Sequence, residues 1–398
     1  MVTHDASDDR FVSAAEAARF LGVRKETLYA YVSRGMLGRH GGPRSRGSLY
    51  SMGELARLKA RHDARAGHGP VAATALRWGE PVLDSAITGV DARGPRYRGH
   101  VAVDLVLRGV PFESVAELLW TGALPAKRPS FDGARVGARA RNERDPFRAF
   151  AHLLGVLADG DRTADVDAPA LTLERARAAI GALAGFGSAG TGAIASRLAR
   201  ALGVAPTETN LGAIDAALVL VADHELNASS FAARVAASTG ANLHACLLAA
   251  LHTASGPRHG AASARVEALL DEIDDRGSFA RALSDRLALG DAIPGFGHPL
   301  YPGGDPRAGM LFALAKKIAP RDRTLRTLAA VASTVARARR ELPNVDSGLV
   351  VLASAIGAPR GAAQTMFVLG RVAGWVAHVL EQRAAGFILR PRARYVGP

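Results

Sequence analysis

One cysteine in 398 residues, Cys246, leaves no internal disulfide and no cysteine-based metal cage within a single chain. A reducing cytoplasm is therefore the expected compartment. Aromatic residues make up only 6% of a chain that is 48% hydrophobic, so a core of Ala, Leu and Val is expected. The opening stretch MVTHDASDDRF has no basic region followed by an apolar run, and no secretory signal is read there. Long uninterrupted hydrophobic runs are missing too. The most apolar late stretch, 347–380, is cut by Arg360 and Arg371 and reads as a buried helix pair rather than a membrane span. There is no His-Glu-x-x-His, and His252 and His259 stand seven apart with no carboxylate between them, so no metal site is expected. The absence of a Gly-x-Ser-x-Gly elbow removes the serine-hydrolase reading. No repeat of solenoid period is visible.

What is present in excess is positive charge. The formal balance is +13, mostly arginine, which points to anionic partners: nucleic acid, or small carboxylates and phosphates. Residues 11–65 hold one candidate for the first. SAAE, Ser13 to Glu16, is a capping box opening a short helix that Gly22 stops. The following run RKETLYAYVSRG puts Leu28, Tyr31 and Val32 on one face. Two short helices around a Gly-Val turn, then a wing-like stretch, resemble the winged helix-turn-helix of the MerR and excisionase type. In that resemblance Arg24 and Lys25 lie where reading residues sit, and Arg34, Arg39, Arg44 and Arg46 could meet phosphates. Against it, Arg24 stands where Ser or Thr would cap the helix, and Glu26 is an unwelcome charge near phosphate. The segment either binds DNA or serves only as a packing unit.

Residues 66–80 read as a linker broken by Gly67, Gly69 and Pro70. A small hairpin interrupted at 91–95 is expected next, and from Val103 onward apolar residues recur at helical spacing almost to the end. Four polar elements interrupt that pattern. His224 lies in ADHELNAS, near the start of an alanine-rich helix. His259, in SGPRHGAAS, sits at a turn entering the next helix, where exposed amides and the helix dipole disfavour imidazolium. The stretch IPGFGHPLYPGGDPR presents His298 and Arg307 in a frame of glycines and prolines that fixes the loop's shape. Asp346, in LPNVDSG, is read on a tight turn before an apolar helix.

ADHELNAS, GPRHG, GFGHPLYPGGDPRA, PNVD, FVLGRVAGW and LRPRARYVG occur in the order and approximate spacing of the citrate synthase family. The resemblance runs from about Pro81 to Pro398. It implies a mainly α chain with all-helical large and small domains and a short N-terminal β-hairpin, preceded by the small winged helix-turn-helix domain. The boundaries are then 1–65 for the N-terminal domain, 66–80 for the linker, 81–256 and 355–398 for the large domain, and 257–354 for the small one. The implied reaction joins acetyl-CoA to oxaloacetate and hydrolyses the thioester to citrate and CoA, with no metal or redox cofactor. By resemblance Asp346 is the base at the acyl methyl, His259 the donor to the enol oxygen, and His298 the group that polarises the ketone. His224, Arg307, Arg371 and Arg390 match the carboxylate-binding positions, and Arg390 corresponds to a residue given by a neighbouring subunit, which implies a homodimer. Arg339 and Arg340 are candidate contacts for CoA phosphates.

The chain also departs from the family pattern. Arg258 replaces a leucine, Ala261 a glycine and Ser263 an asparagine around His259, and an aromatic pair after Asp346 is absent. Two alternatives stay open: a 2-methylcitrate synthase using propionyl-CoA, and a ligand-sensing DNA-binding regulator that has kept the pocket.

Overall fold

The computed structural model describes residues 11–33, 37–41, 48–55, 58, 83–133, 136, 143, 145–277, 279–393, 395 and 397. Two compact units divide the chain: Met1–Asp84 with Arg392–Pro398, and Ser85–Pro391.

In the first unit β1 (Phe11–Ser13) leads into α1 (Ala14–Leu21), then α2 (Lys25–Ser33), β2 (His40–Gly41) and β3 (Ser48–Ser51). The capping box forms as expected: Ser13 Oγ accepts from Glu16 N, and the Glu16 carboxylate accepts from Ser13 N at 2.9 Å. Gly22 closes α1 in the left-handed region at φ 67°. The strands form an antiparallel sheet of order β1-β3-β2, with Val12 opposite Tyr50 and His40 opposite Leu49. Ala17, Ala18, Leu21, Leu28 and Tyr50 make its core. Arg24 and Lys25 are exposed at the start of α2. Arg34, Arg44, Arg46 and the 66–80 linker lie outside the described residues.

The second unit opens with a hairpin, β4 (Thr88–Asp91) and β5 (Gly94–Tyr97), extended by β6 (His100–Val101). Helices follow: α3 (Ala102–Leu107), α4 (Phe112–Thr121), α5 (Pro146–Gly160), α6 (Pro169–Ala184), α7 (Ile194–Ala201), α8 (Glu208–Leu220), α9 (Ala228–Ser238) and α10 (Leu243–Ala254). Then come α11 (Ala262–Asp275), α12 (Phe279–Ala288), α13 (Pro306–Ile318), α14 (Arg323–Arg339), α15 (Val345–Ala355) and α16 (Ala362–Ala385). The long α16 is the spine. It packs on α4, α6, α8, α9, α10, α11 and α15, and its residues from Thr365 to Val379 are buried on every side. A helix wrapped all round by others carries no polar stripe, which is why its sequence is so apolar. Among the described residues no helix is long and apolar enough to cross a membrane.

Candidate active site

The loop between α12 and α13 is shaped where its glycines stand. Gly295, at φ 83°, passes so close to Ser347 Oγ that any side chain would collide with it. Gly304, at φ 106°, is a second position that only glycine adopts without strain. Ser347 Oγ donates to Gly295 O at 2.7 Å and Asn344 Nδ2 to Gly297 O at 3.1 Å, so the loop is tied to the start of α15. At its far end Asp305 caps α13 by accepting Arg307 N at 3.0 Å. The same carboxylate grips the Arg307 guanidinium through Nε at 3.0 Å and Nη2 at 2.8 Å, and accepts Val345 N at 3.0 Å. Both side chains are essentially buried. Burial works against the Arg307 charge, but Asp305 more than offsets it and holds the guanidinium more firmly protonated than usual.

Three aromatic rings meet inside this loop. His224 Nε2 lies 2.7 Å from Tyr301 Oη, and the His224 and His298 rings stand 5.3 Å apart, edge to face. Arg307 Cζ lies 5.4 Å from the centre of the Tyr301 ring. Leu300 N donates to His298 Nδ1 at 3.2 Å, so the single proton of neutral His298 belongs on Nε2.

A second group forms where α9 and α16 meet. His259 Nε2 lies 2.8 Å from Ser229 Oγ, and Trp375 Nε1 donates to the same hydroxyl at 3.0 Å. Phe367 packs edge-on against His259 at 5.9 Å and lies under the Arg371 guanidinium at 4.9 Å. Arg371 is buried, with Nε donating to Val221 O at 2.9 Å.

Asp346 completes the set. Sequence placed it on a turn before the helix; it is the second residue of α15, because Asn344 takes the N-cap and accepts Asp346 N at 3.0 Å. Its Oδ1 accepts Ser263 Oγ at 2.7 Å. Asp346 is half-buried, and burial raises its carboxyl above the usual range, partly opposed by Ser263, Arg307 and Arg371.

All three site histidines are held neutral. Burial first, then Arg371, pushes His259 down to about 4, and burial with Arg307 brings His298 to about 4. His224 is lowered well below its ordinary value, by burial first and then by both arginines. The cause differs from the helix dipole expected for His259. Arg258, beside it, is exposed.

These shifts set a stability profile. In the unfolded chain the histidines titrate near 6.5. Between that value and about 4 the unfolded state binds protons that the folded state refuses, so stability is lost as pH falls through this window. Three carboxyls act in the opposite sense: Asp215, raised to about 6 mainly by burial, Glu267 and Asp346 each contribute stability that is lost as pH rises through their folded values. With His244 also lowered by burial, four imidazoles against three carboxyls leave a net decline toward acid. The calorimetric midpoint is expected to drop roughly 5 °C from about pH 7 to about pH 5. A midpoint that stays level or climbs over that range contradicts the depressed histidines.

The structure thus brings together His224, His259, His298, Arg307, Asp346 and Arg371: shared contacts join each half of the set, and the two arginines act on the rest through space. It does not bring in the other candidates. Arg390 lies exposed in the tail after α16 and pairs with no described residue. Arg339 donates to Asp291 O at 2.5 Å at the end of α12, and Arg340 is exposed at the left-handed cap of α14. Tyr301, Asp305, Ser229, Trp375 and Ser263 were missed, although Tyr301 and Asp305 lie in the same loop as His298. Among the described residues no three His, Cys, Asp or Glu side chains converge as metal ligands would.

Residues 75–392 match the family model described as citrate synthase, C-terminal domain. The chain is 31% identical over 349 residues to a 2-methylcitrate synthase of Shewanella oneidensis, covering 80% of this chain and 92% of that one. It is 31% identical over 355 residues to a citrate synthase of Haloferax volcanii, with 79% and 93% covered. Among solved structures, the ternary complex of carboxymethyl coenzyme A and oxaloacetate with citrate synthase from Thermoplasma acidophilum matches with a TM-score of 0.68 at 25% identity, over 80% of this chain and 94% of that one.

Proposed function

The chain belongs to the citrate synthase family, and from that premise we propose that it condenses acetyl-CoA with oxaloacetate and hydrolyses the citryl-CoA formed to citrate and free CoA. The observation that carries this reading is Asp346, a half-buried carboxylate of raised basicity, sharing its arginine neighbours with neutral His259 and His298. A thioester methyl is a very weak carbon acid, so its proton leaves only with a base on the carbon and a donor on the carbonyl oxygen. In this assignment Asp346 takes the proton while a His259 N–H donates to the forming enol. The enol carbon then attacks the ketone carbon of oxaloacetate, and His298 Nε2–H supplies the proton for the new alkoxide. Water finally cleaves the thioester, releasing CoA. His224, Arg307 and Arg371 hold the carboxylates, whose planar geometry suits guanidinium forks.

Propionyl-CoA is the alternative donor, as the name of the Shewanella relative suggests. One methylene is worth only about 1–3 kcal/mol of discrimination. Comparing thiol release from the two acyl-CoA donors with oxaloacetate tests both readings. Release with neither donor refutes the enzymatic assignment. CoA phosphates are assigned to Arg340 before Arg339, whose guanidinium is spent on the end of α12. The large domain is assigned to 81–256 with 355–398, and the small domain to 257–354.

The active assembly is assigned as a homodimer, on the exposed tail that carries Phe387, Ile388 and Arg390. Arg390→Ala should weaken oxaloacetate binding about tenfold to a hundredfold in a dimer that sediments normally. Unaltered binding there counts against a shared site. The N-terminal unit is assigned to the winged helix-turn-helix class, on α1 and α2 meeting at Gly22 beside a three-stranded sheet, with exposed Arg24 and Lys25 facing phosphates. Binding to duplex DNA that weakens steeply with salt supports that role. DNA binding without thiol release favours the regulator over the enzyme.

A further inference from the structure

The α16 surface that meets the end of α8 alternates glycine with charge. A side chain at Gly370 would lie 2.6 Å from Val221 Cγ2 and 2.8 Å from Leu218 O, and one at Gly374 would lie 2.6 Å from Ala222 O. Both glycines let the helix press directly on the 218–223 backbone, and Gly374 N donates to Ala222 O at 2.9 Å. That close approach sets Arg371 Nε on Val221 O, and two turns further along the helix it sets His378 Nε2 3.4 Å from Asp223 Oδ2. Tyr97 Oη fixes the same backbone from the other side, 2.9 Å from Val219 O and 3.2 Å from Asp223 O.

Asp223 and His378 are both completely buried. Apart from their mutual contact and the buried Thr88 hydroxyl beside Asp223, neither carboxylate oxygen and neither imidazole nitrogen has a hydrogen-bond partner. Interiors rarely keep polar atoms in that condition, and a buried pair adds little stability of its own. Its position is informative. Asp223 directly precedes His224, and its charge supports the Arg371 guanidinium against the burial that lowers it. Arg307 already has Asp305 as a two-point partner, whereas among the described residues no carboxylate lies within ion-pair distance of Arg371.

We propose that Asp223 and His378 are positioning residues for the carboxylate end of the pocket. His378 restrains the Asp223 carboxylate, so that it supports Arg371 through space without closing on the N–H groups that a 2-oxo dicarboxylate must occupy. The inference rests on the condensation reading. Its consequence is a selective loss: the keto acid is affected and the acyl-CoA is not.

Calorimetric titration with oxaloacetate, alongside KM values for both substrates, tests this on the full chain. His378→Leu should weaken oxaloacetate binding about tenfold or more, with the KM for acyl-CoA unchanged. His378→Gln, which can still offer an N–H to Asp223, should stay within about threefold of wild type. Asp223→Asn should also weaken binding, and the double variant Asp223→Asn with His378→Leu should bind no more weakly than Asp223→Asn alone. Should His378→Leu fail to fold by circular dichroism, Asp223→Asn and His378→Gln carry the test. Wild-type affinity in folded His378→Leu or Asp223→Asn, equal losses for both substrates, or additive losses in the double variant would overturn the proposal. A wild-type protein that itself binds no oxaloacetate brings down the condensation reading, and this inference with it.

Discussion

Asp346→Asn is expected to lower the rate of condensation about a thousandfold or more, while oxaloacetate binds within about threefold of wild type. The split follows from where the residue stands. The proposed carboxylate ligands are His224, Arg307 and Arg371, none of which bonds to Asp346. The start of α15 is held by Asn344, and Arg307 by Asp305, so removing the Asp346 charge disturbs neither support. Losing an anion from the first turn costs about 0.3–1 kcal/mol against the helix dipole. Opposing that loss, a carboxylate whose burial disfavours its charged form is replaced by a neutral amide. The thermal midpoint should therefore hold or rise near neutral pH while turnover collapses, as expected of a group kept for chemistry at the expense of stability. Stopped-flow thiol release and calorimetry on the same preparation read both quantities. Near-normal turnover removes Asp346 as the base, and a large fall in the midpoint would show that its role is structural.

The legible part of this site was the part written in backbone-specifying residues. His298 stood out because glycines and prolines surround it, and the loop does need glycine at 295 and 304. Helices α15 and α16 were legible from their apolar spacing. What remained hidden lies in contacts between distant positions. Ser263 donates to Asp346 across 83 residues, Trp375 to Ser229 across 146, and Tyr301 meets His224 across 77. No local period encodes such pairs. The replacement of asparagine by Ser263 read only as a departure from the family pattern; folded, its hydroxyl donates to Asp346 Oδ1. The depression of His259 was expected from a helix terminus, but burial and Arg371 cause it. An arginine more than a hundred residues away in sequence leaves no mark near a histidine.

His259→Ala is expected to cut turnover about a hundredfold to a thousandfold, the usual cost of removing one donor from a developing oxyanion. The hydrogen bonds around Ser229 say what holds this ring. Ser229 Oγ donates to Asn227 Oδ1 at 2.7 Å and accepts Trp375 Nε1 at 3.0 Å, which fixes the hydroxyl against which His259 Nε2 rests at 2.8 Å. Asn227 Oδ1 also accepts Ser229 N at 3.1 Å and Ser230 N at 3.2 Å, so the hydroxyl is anchored to the start of α9. Ser229→Ala should consequently lower turnover about tenfold by releasing the orientation of the imidazole, with oxaloacetate affinity unchanged. Because His259 is already neutral well above its folded value near 4, neither variant should move the acid limb of the rate profile toward 6.5. If Ser229→Ala keeps full turnover, Ser229 does not position His259, and the ring must be held by its packing on Phe367 instead.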